Sequence, residues 1–379
     1  MSSIVVIGSG LAGYVFVKEL RKLSSQAITL LTQDTGEYYP KPSLSHAKRQ
    51  NKSPDQLVMA DAQKMAKDLN IEVITQCEVT SIEPSNRRVV TVQGSFSYDK
   101  LVLALGASPI FPQAITYDKL PMVVNNLTDY REFVNNITEE AKVGVLGAGL
   151  IGTEFAYDLS GRNQSIKWIF SEPWPLSRFV PKPVGDWLKE NMAQLGISPI
   201  NEQVLAVSDS KSSGYTVKTD KGEYDVDMLL QAFGIAPCID LAREAKIRCN
   251  RGILTDRTLR TSDENIYALG DCAEVDGIVL QYVMPLRIQA QTLAKTLSGQ
   301  EDIVAYPAMT TLVKTPLTPV AFSLPPIGEG NWVIEQSSSE GVVAMYMING
   351  EKAGFALAGE CAKMRTSLVR SLPSWTSSQ

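Results

Sequence analysis

The chain has 379 residues, of which 44% are hydrophobic and 20% charged, enough apolar length for two or three domains with separate cores. A net charge of −5 argues against a protein that coats nucleic acid or spreads over anionic lipid. No apolar run approaches the ~20 residues that span a bilayer, and the chain opens on a strand, without a signal region, so a cytoplasmic protein without membrane contact is expected.

Residues 2–7 (SSIVVI) suit a buried parallel strand, and residues 11–23 carry Leu11, Val15, Leu20 and Leu23 at helical spacing. Between them lie Gly8, Gly10 and Gly13. In the order strand–GxGxxG–helix the three glycines differ in purpose. The first makes the tight turn, the second lets the backbone approach a pyrophosphate, and the third lets helix and strand meet. The helix start then offers free N–H groups and a positive dipole end to phosphate. Residues 27–32 (AITLLT) supply the next strand, and the acid expected at a ribose hydroxyl falls on Asp34, beside Gln33. A glycine-rich turn without a ligand would look the same locally; the strand, helix and acid in order favour the dinucleotide.

The same layout returns 139 positions later. Lys142–Leu146 is the strand, Gly147, Gly149 and Gly152 form the turn, residues 153–159 begin the helix and residues 166–170 (IKWIF) are the next strand. Glu172 lies two positions past that strand and is the candidate for the adenosine ribose. No basic pair at 171–173 awaits a 2′-phosphate, so NADH is favoured over NADPH, with Arg178 ambiguous. Two apolar runs, residues 98–109 (YDKLVLALGASP) and 228–238 (MLLQAFGIAPC), close on Gly-x-x-Pro. Residues 266–269 end at Gly270 and Asp271, beside a helix start, and residues 309–320 (MTTLVKTPLTPV) suit a linker. The five cysteines, Cys77, Cys238, Cys249, Cys272 and Cys361, form no CxxC or zinc-like spacing. Separate reduced thiols follow, and with one histidine, His46, neither a Ser/His/Asp triad nor a metal cluster is expected.

These motifs resemble the two-dinucleotide flavoprotein reductases, the pyridine nucleotide–disulfide oxidoreductase superfamily. The resemblance implies an α/β fold with two Rossmann-like dinucleotide-binding domains of three-layer ββα type and a small α+β C-terminal domain. The FAD-binding domain would comprise 1–110 and 245–314, the NAD-binding domain 111–244 and the C-terminal domain 315–379. FAD would lie on Gly8, Ser9, Gly10, Leu11, Ala12, Gly13, Gln33, Asp34, Lys41, Pro42, Val79, Ala104, Gly106, Asp271, Val283 and Lys314. Asp271 would take the flavin ribityl chain, the plainer alternative being a helix cap. NADH would lie on Gly147, Gly149, Leu150, Ile151, Gly152, Glu154, Glu172 and Gly234.

Residues 38–50 (YYPKPSLSHAKRQ) lack the cysteines with which disulfide-reducing members work beside the flavin. With YVMPL (282–286) and VKTP (313–316), this stretch is similar instead to the rubredoxin-reducing branch. That branch implies hydride transfer from NADH to FAD, then single electrons to rubredoxin, a small Cys₄ iron protein that in some bacteria feeds an alkane hydroxylase. It implies a monomer or weak homodimer. A ferredoxin reductase of an oxygenase system, an NADH oxidase or quinone reductase, and a redox sensor that holds FAD without turnover are the alternatives. Glu154, Lys314 and His46 are the catalytic candidates, Glu154 pairing with Lys314 or with His46, which stands where related enzymes carry Lys. His46 as plain helix cover is the simpler alternative. If they flank one opening, the basic residues of 46–52 with Lys363, Arg365 and Arg370 would steer an acidic carrier; plain solvated surface is the alternative.

Overall fold

The computed structural model describes residues 3–138, 140–160, 165–210 and 214–376; Ser2, read as the start of the first strand, lies outside them. Five parallel strands run in the order Ile266–Ala268, Lys100–Leu103, Ser3–Ile7, Ala27–Leu31, Glu72–Ile74. Their near-continuous apolar character follows from burial on both faces. The helices Leu11–Arg21 and Val283–Leu297 pack together on this sheet. An antiparallel sheet of Val79–Glu83, Arg88–Thr91 and Gly94–Ser97 adds Ile82 and Val89 to the core that holds Val6, Phe16 and Leu293.

The second unit repeats the plan. Its parallel strands run Ile197–Asn201, Ser165–Phe170, Lys142–Leu146, Met228–Gln231. One face buries Leu146, Ile169 and Leu229 against Val207 and Val217 of a smaller sheet. The other receives the helices Leu150–Leu159 and Lys182–Gln194. Two short strands, Ala107–Pro109 and Ile235–Pro237, pair antiparallel where the chain passes between the units. The apolar runs that close on Gly-x-x-Pro therefore meet each other.

An antiparallel C-terminal sheet has the order Thr311–Leu312, Val320–Ser323, Glu351–Gly359, Gly341–Ile348, Asn331–Ser338. Phe322, Val342 and Ala356 join Leu188, Met192 and Phe155 in one core, so this sheet rests on the helices of the second unit.

The structure corrects three readings and adds one local element. The second glycine-turn helix begins at Leu150, not at 153, because Leu150 and Ile151 already follow the turn in helical geometry. Within the 38–50 stretch, Lys41–His46 forms a 3₁₀ turn with Pro40 at its cap and Pro42 in its first turn. Asp271 does not border a long helix: Gly270–Cys272 is one 3₁₀ turn, followed by the strand Ala273–Val275, and the helix opens at Val283. The stretch 309–320 is more than a linker, since Thr311–Leu312 pairs with Val320–Ser323.

Candidate active site

Both glycine turns have one construction. Gly8 (φ +112°) has no room for a Cβ, which would lie 2.3 Å from the Ala104 carbonyl oxygen, and a Cβ on Gly13 would lie 2.0 Å from that of Gly8. A Cβ on Gly10 would meet nothing within 4 Å. In the second turn, a Cβ on Gly147 (φ +98°) would lie 2.7 Å from the Ala232 carbonyl oxygen and one on Gly152 2.1 Å from that of Gly147, while Gly149 again faces open space. Two glycines thus serve packing, and the middle one leaves a gap before an open helix N-terminus, as a pyrophosphate requires. Ala12 packs under the Asp271 turn, where a Cβ on Gly270 would come within 2.7 Å of its own.

Asp34 turns one carboxylate oxygen to its own loop: Oδ1 accepts from Ser9 Oγ (3.0 Å), Thr32 Oγ1 (2.7 Å) and the Gly36 amide (2.9 Å). Asp34 and Gln33 also line a cleft of about 620 Å³ with Gln76 and Glu78. In the second unit, Glu172 Oε1 accepts the Ala148 amide at 3.4 Å, which holds the acid beside the glycine turn. Leu11, Leu150 and Ile151 open the two helices, and Ile151 is exposed.

Lys41 and Asp271 face one another electrostatically. Burial holds the Lys41 ammonium below its usual range, opposed chiefly by Asp271; burial pushes the Asp271 carboxyl up, opposed by Lys41. Lys41 Nζ donates to Asn125 Oδ1 (2.7 Å), and Asn125 Nδ2 donates to the Ala107 carbonyl (2.9 Å). Gly106 (φ +72°) accepts the Cys238 amide at 3.0 Å, and Gly234 (φ +110°) accepts that of Ile110 at 3.0 Å. Ala104 receives its place from the Ile7 carbonyl (2.9 Å), and Val79 opens the small three-stranded sheet. Val283 begins its helix without a side-chain cap, and the neighbouring Gln281 Nε2 is buried without a partner. An open glycine gap, an uncapped helix start and an orphaned buried amide fit a bound FAD.

The helix that opens the second turn carries a charged cluster. Glu154 is only 4% exposed. Its Oε2 accepts from Lys314 Nζ (2.6 Å) and from the Ser45 hydroxyl (2.5 Å), and its Oε1 accepts the Lys314 amide (3.1 Å). Lys314 Nζ also donates to Ser45 Oγ at 3.2 Å. Of the two partners offered by the sequence, Lys314 is the one found. His46 is not bonded to Glu154; its buried Nδ1 has no hydrogen-bond partner, and burial and the Lys314 charge keep the ring below its usual pKa. Its own 3₁₀ turn directs Ser45, not His46, at the carboxylate. Pro42, at the start of that turn, accepts a longer bond from the Ser45 hydroxyl (3.4 Å).

Ser45, Asn125 and Gln281 are site residues that sequence reasoning missed. The only signal was position, since Ser45 sits inside the PxLS segment and a serine or amide carries little chemical mark alone. Two of the basic residues considered for steering are engaged within the chain: Arg49 donates to the Tyr157 and Ser160 carbonyls (3.2 and 3.0 Å), and Lys363 forms an exposed pair with Glu360. Among the described residues no group of three or more His, Cys, Asp or Glu could hold a metal.

The repeated units, the paired turns and the cluster on the second turn's helix define a two-dinucleotide flavoprotein reductase fold. The chain belongs to the pyridine nucleotide-disulphide oxidoreductase family, whose model matches residues 2–294, and a rubredoxin binding C-terminal domain matches residues 303–372. It is 39% identical over 390 residues to a rubredoxin-NAD(+) reductase of Acinetobacter baylyi, covering 98% of each chain. A rubredoxin-NAD(+) reductase of Alcanivorax borkumensis is 40% identical over 381 residues, covering 98% of this chain and 99% of the relative. The fold is shared with a ferredoxin reductase from Rhodopseudomonas palustris at a TM-score of 0.87 and 23% identity, covering 98% of this chain and 96% of that one.

Proposed function

We propose that this protein is an NADH-dependent flavoprotein reductase that passes electrons to rubredoxin. The observation that carries the reading is the Glu154–Lys314–Ser45 cluster, set on the helix that opens the second dinucleotide turn in a chain whose C-terminal part matches a rubredoxin-binding domain. The bound FAD would supply the exchange of a hydride from NADH for single electrons.

The chain's own residues bind and orient. Gly8 to Gly13, with Asp34 and Gln33, would hold the ADP half of FAD; Lys41, Asp271, Val283 and Gln281 would hold its middle and ring. Gly147 to Gly152, with Glu172, would hold NADH, and the absence of a basic pair at 171–173 favours it over NADPH. Both oxygens of Glu154 are already occupied by donors, so its carboxylate acts as a fixed support and not as a general base. Lys314 spends two of its N–H bonds on Glu154 and Ser45, which leaves one for the ring of a bound cofactor. Reaction geometry, set by a rigid cluster, is the protein's contribution to rate.

The two parallel sheets and the C-terminal antiparallel sheet support division into 1–110 with 245–314, 111–244 and 315–379, with the last boundary moved ahead of Thr311–Leu312. No helix among the described residues is long and apolar enough to cross a membrane, and the reading places the reaction in the cytoplasm, where NADH is supplied. The wider role, electrons delivered through rubredoxin to an alkane hydroxylase by a monomer or weak homodimer, rests on the rubredoxin-reductase resemblance. Anaerobic titration tests the core of the proposal: one equivalent of NADH bleaches the yellow chromophore, whereas a chromophore that NADH leaves unchanged marks a binder or sensor.

A further inference from the structure

One helical turn beyond Glu154, on the same face of Leu150–Leu159, lies a second buried carboxylate, Asp158, 3% exposed. Its Oδ2 accepts the Lys48 amide at 3.1 Å and its Oδ1 accepts the Arg49 amide at 2.9 Å. These amides follow directly on the 3₁₀ turn that presents Ser45 to Glu154. The Arg49 side chain strengthens the hold, donating to the carbonyls of Tyr157 and Ser160 and lying 4.3 Å over the Tyr157 ring. The Tyr157 hydroxyl in turn accepts the Leu317 amide at 3.1 Å, on the loop that carries Lys314. A single stretch of helix, 154 to 158, therefore fastens both chain segments that complete the charged cluster.

We propose that Asp158 is a positioning residue for hydride transfer: through the Lys48 and Arg49 amides it holds Ser45 against the Glu154–Lys314 pair. The inference rests on the reductase reading. A buried carboxylate is a costly clamp, and its retention implies a geometry that two charge-assisted amide bonds fix more firmly than neutral ones. Burial lifts the Asp158 carboxyl to about 6, against the opposing amides and charges of Arg49 and Lys48. Tyr130, from the helix Leu127–Asn136, faces it with a buried hydroxyl that has no hydrogen-bond partner and is itself pushed up by burial and by Asp158. Once protonated, the carboxyl carries an O–H where an amide N–H arrives, so one of the two bonds is lost and Ser45 is released from its register.

The test combines anaerobic stopped-flow bleaching by NADH with hydrogen exchange of the peptide covering residues 45–52, on the FAD-loaded wild type, Asp158→Asn and Asp158→Glu, from about pH 5 to pH 8. In the wild type the limiting bleaching rate falls and exchange at 48–49 quickens, beyond its intrinsic pH dependence, as pH drops through about 6. Asp158→Asn bleaches about tenfold more slowly at every pH, without that step, while its NADH KM stays near wild type; Asp158→Glu recovers part of the rate. Wild-type rate and exchange in Asp158→Asn overturn the proposal. If that variant does not fold, wild-type exchange that shows no step near pH 6 overturns it instead. A wild-type chromophore that NADH never bleaches overturns the reductase reading and this proposal together, whereas a defect confined to the variant's exchange, with normal bleaching, overturns the positioning role alone.

Discussion

Three donors from two distant segments reach the Glu154 carboxylate in its nearly closed site. Replacing Lys314 with Met leaves the buried carboxylate short of its cation, and an under-satisfied buried acceptor costs about 1–3 kcal/mol. Urea unfolding of Lys314→Met should register that loss, and the double variant with Glu154→Gln should recover most of it, the sign of direct coupling. The rate of bleaching by NADH should fall about 100-fold in Lys314→Met, the scale for loss of one preorganised donor. His46 gives a separate signature. Its pKa is lowered in the folded chain by burial and Lys314, so the unfolded chain takes the proton first. Stability is then fully present above the unfolded value near 6.5 and declines as pH falls below it; a His46→Gln chain, followed by thermal unfolding across that range, should lose this part of the slope. Although the choice between Lys314 and His46 as the partner of Glu154 was left to the structure, Glu154 and Lys314 were legible as candidates from their motifs. Ser45 was not, because its partner is 109 positions away and nothing local in a serine announces a carboxylate.

The glycine turns were the most legible elements, since their requirement is local: a positive φ and two close approaches that any side chain blocks. That division of labour is testable. Gly10→Ala meets open space in the protein and should fold, yet be purified with little FAD because the new methyl occupies the pyrophosphate's approach. Gly149→Ala should stay yellow while its KM for NADH rises at least about tenfold, a 1.4 kcal/mol effect; unchanged absorbance and KM in both would remove the assignment of the turns. Less legible were elements decided by tertiary pairing. The edge strand Thr311–Leu312 exists through Val320–Ser323, and the 3₁₀ turn at Lys41–His46 is set by prolines and by the helix it binds.

At the scale of the whole molecule, repeated units supply two open helix N-termini, the second on the helix that carries Glu154, and the C-terminal sheet shares a core with the second unit through Phe322, Val342, Leu188 and Met192. Net charge and composition could exclude partners but not arrange surfaces. The basic residues of 46–52 and 363–370 read as one steering patch in the sequence, whereas Arg49 is committed inside, Lys363 pairs with Glu360 and Arg365 donates to the Ala362 carbonyl at 3.0 Å. Electron delivery to rubredoxin should therefore slow less than about tenfold when salt is raised from low to about 0.5 M, a modest steering effect. The central claim is tested most directly by reducing the protein with NADH without oxygen and mixing it in parallel with oxidised rubredoxin, ferredoxin and dioxygen. Reoxidation should be fastest with rubredoxin by at least about tenfold, equivalent to 1.4 kcal/mol in the barrier; equal or faster reoxidation by ferredoxin or dioxygen would contradict the account.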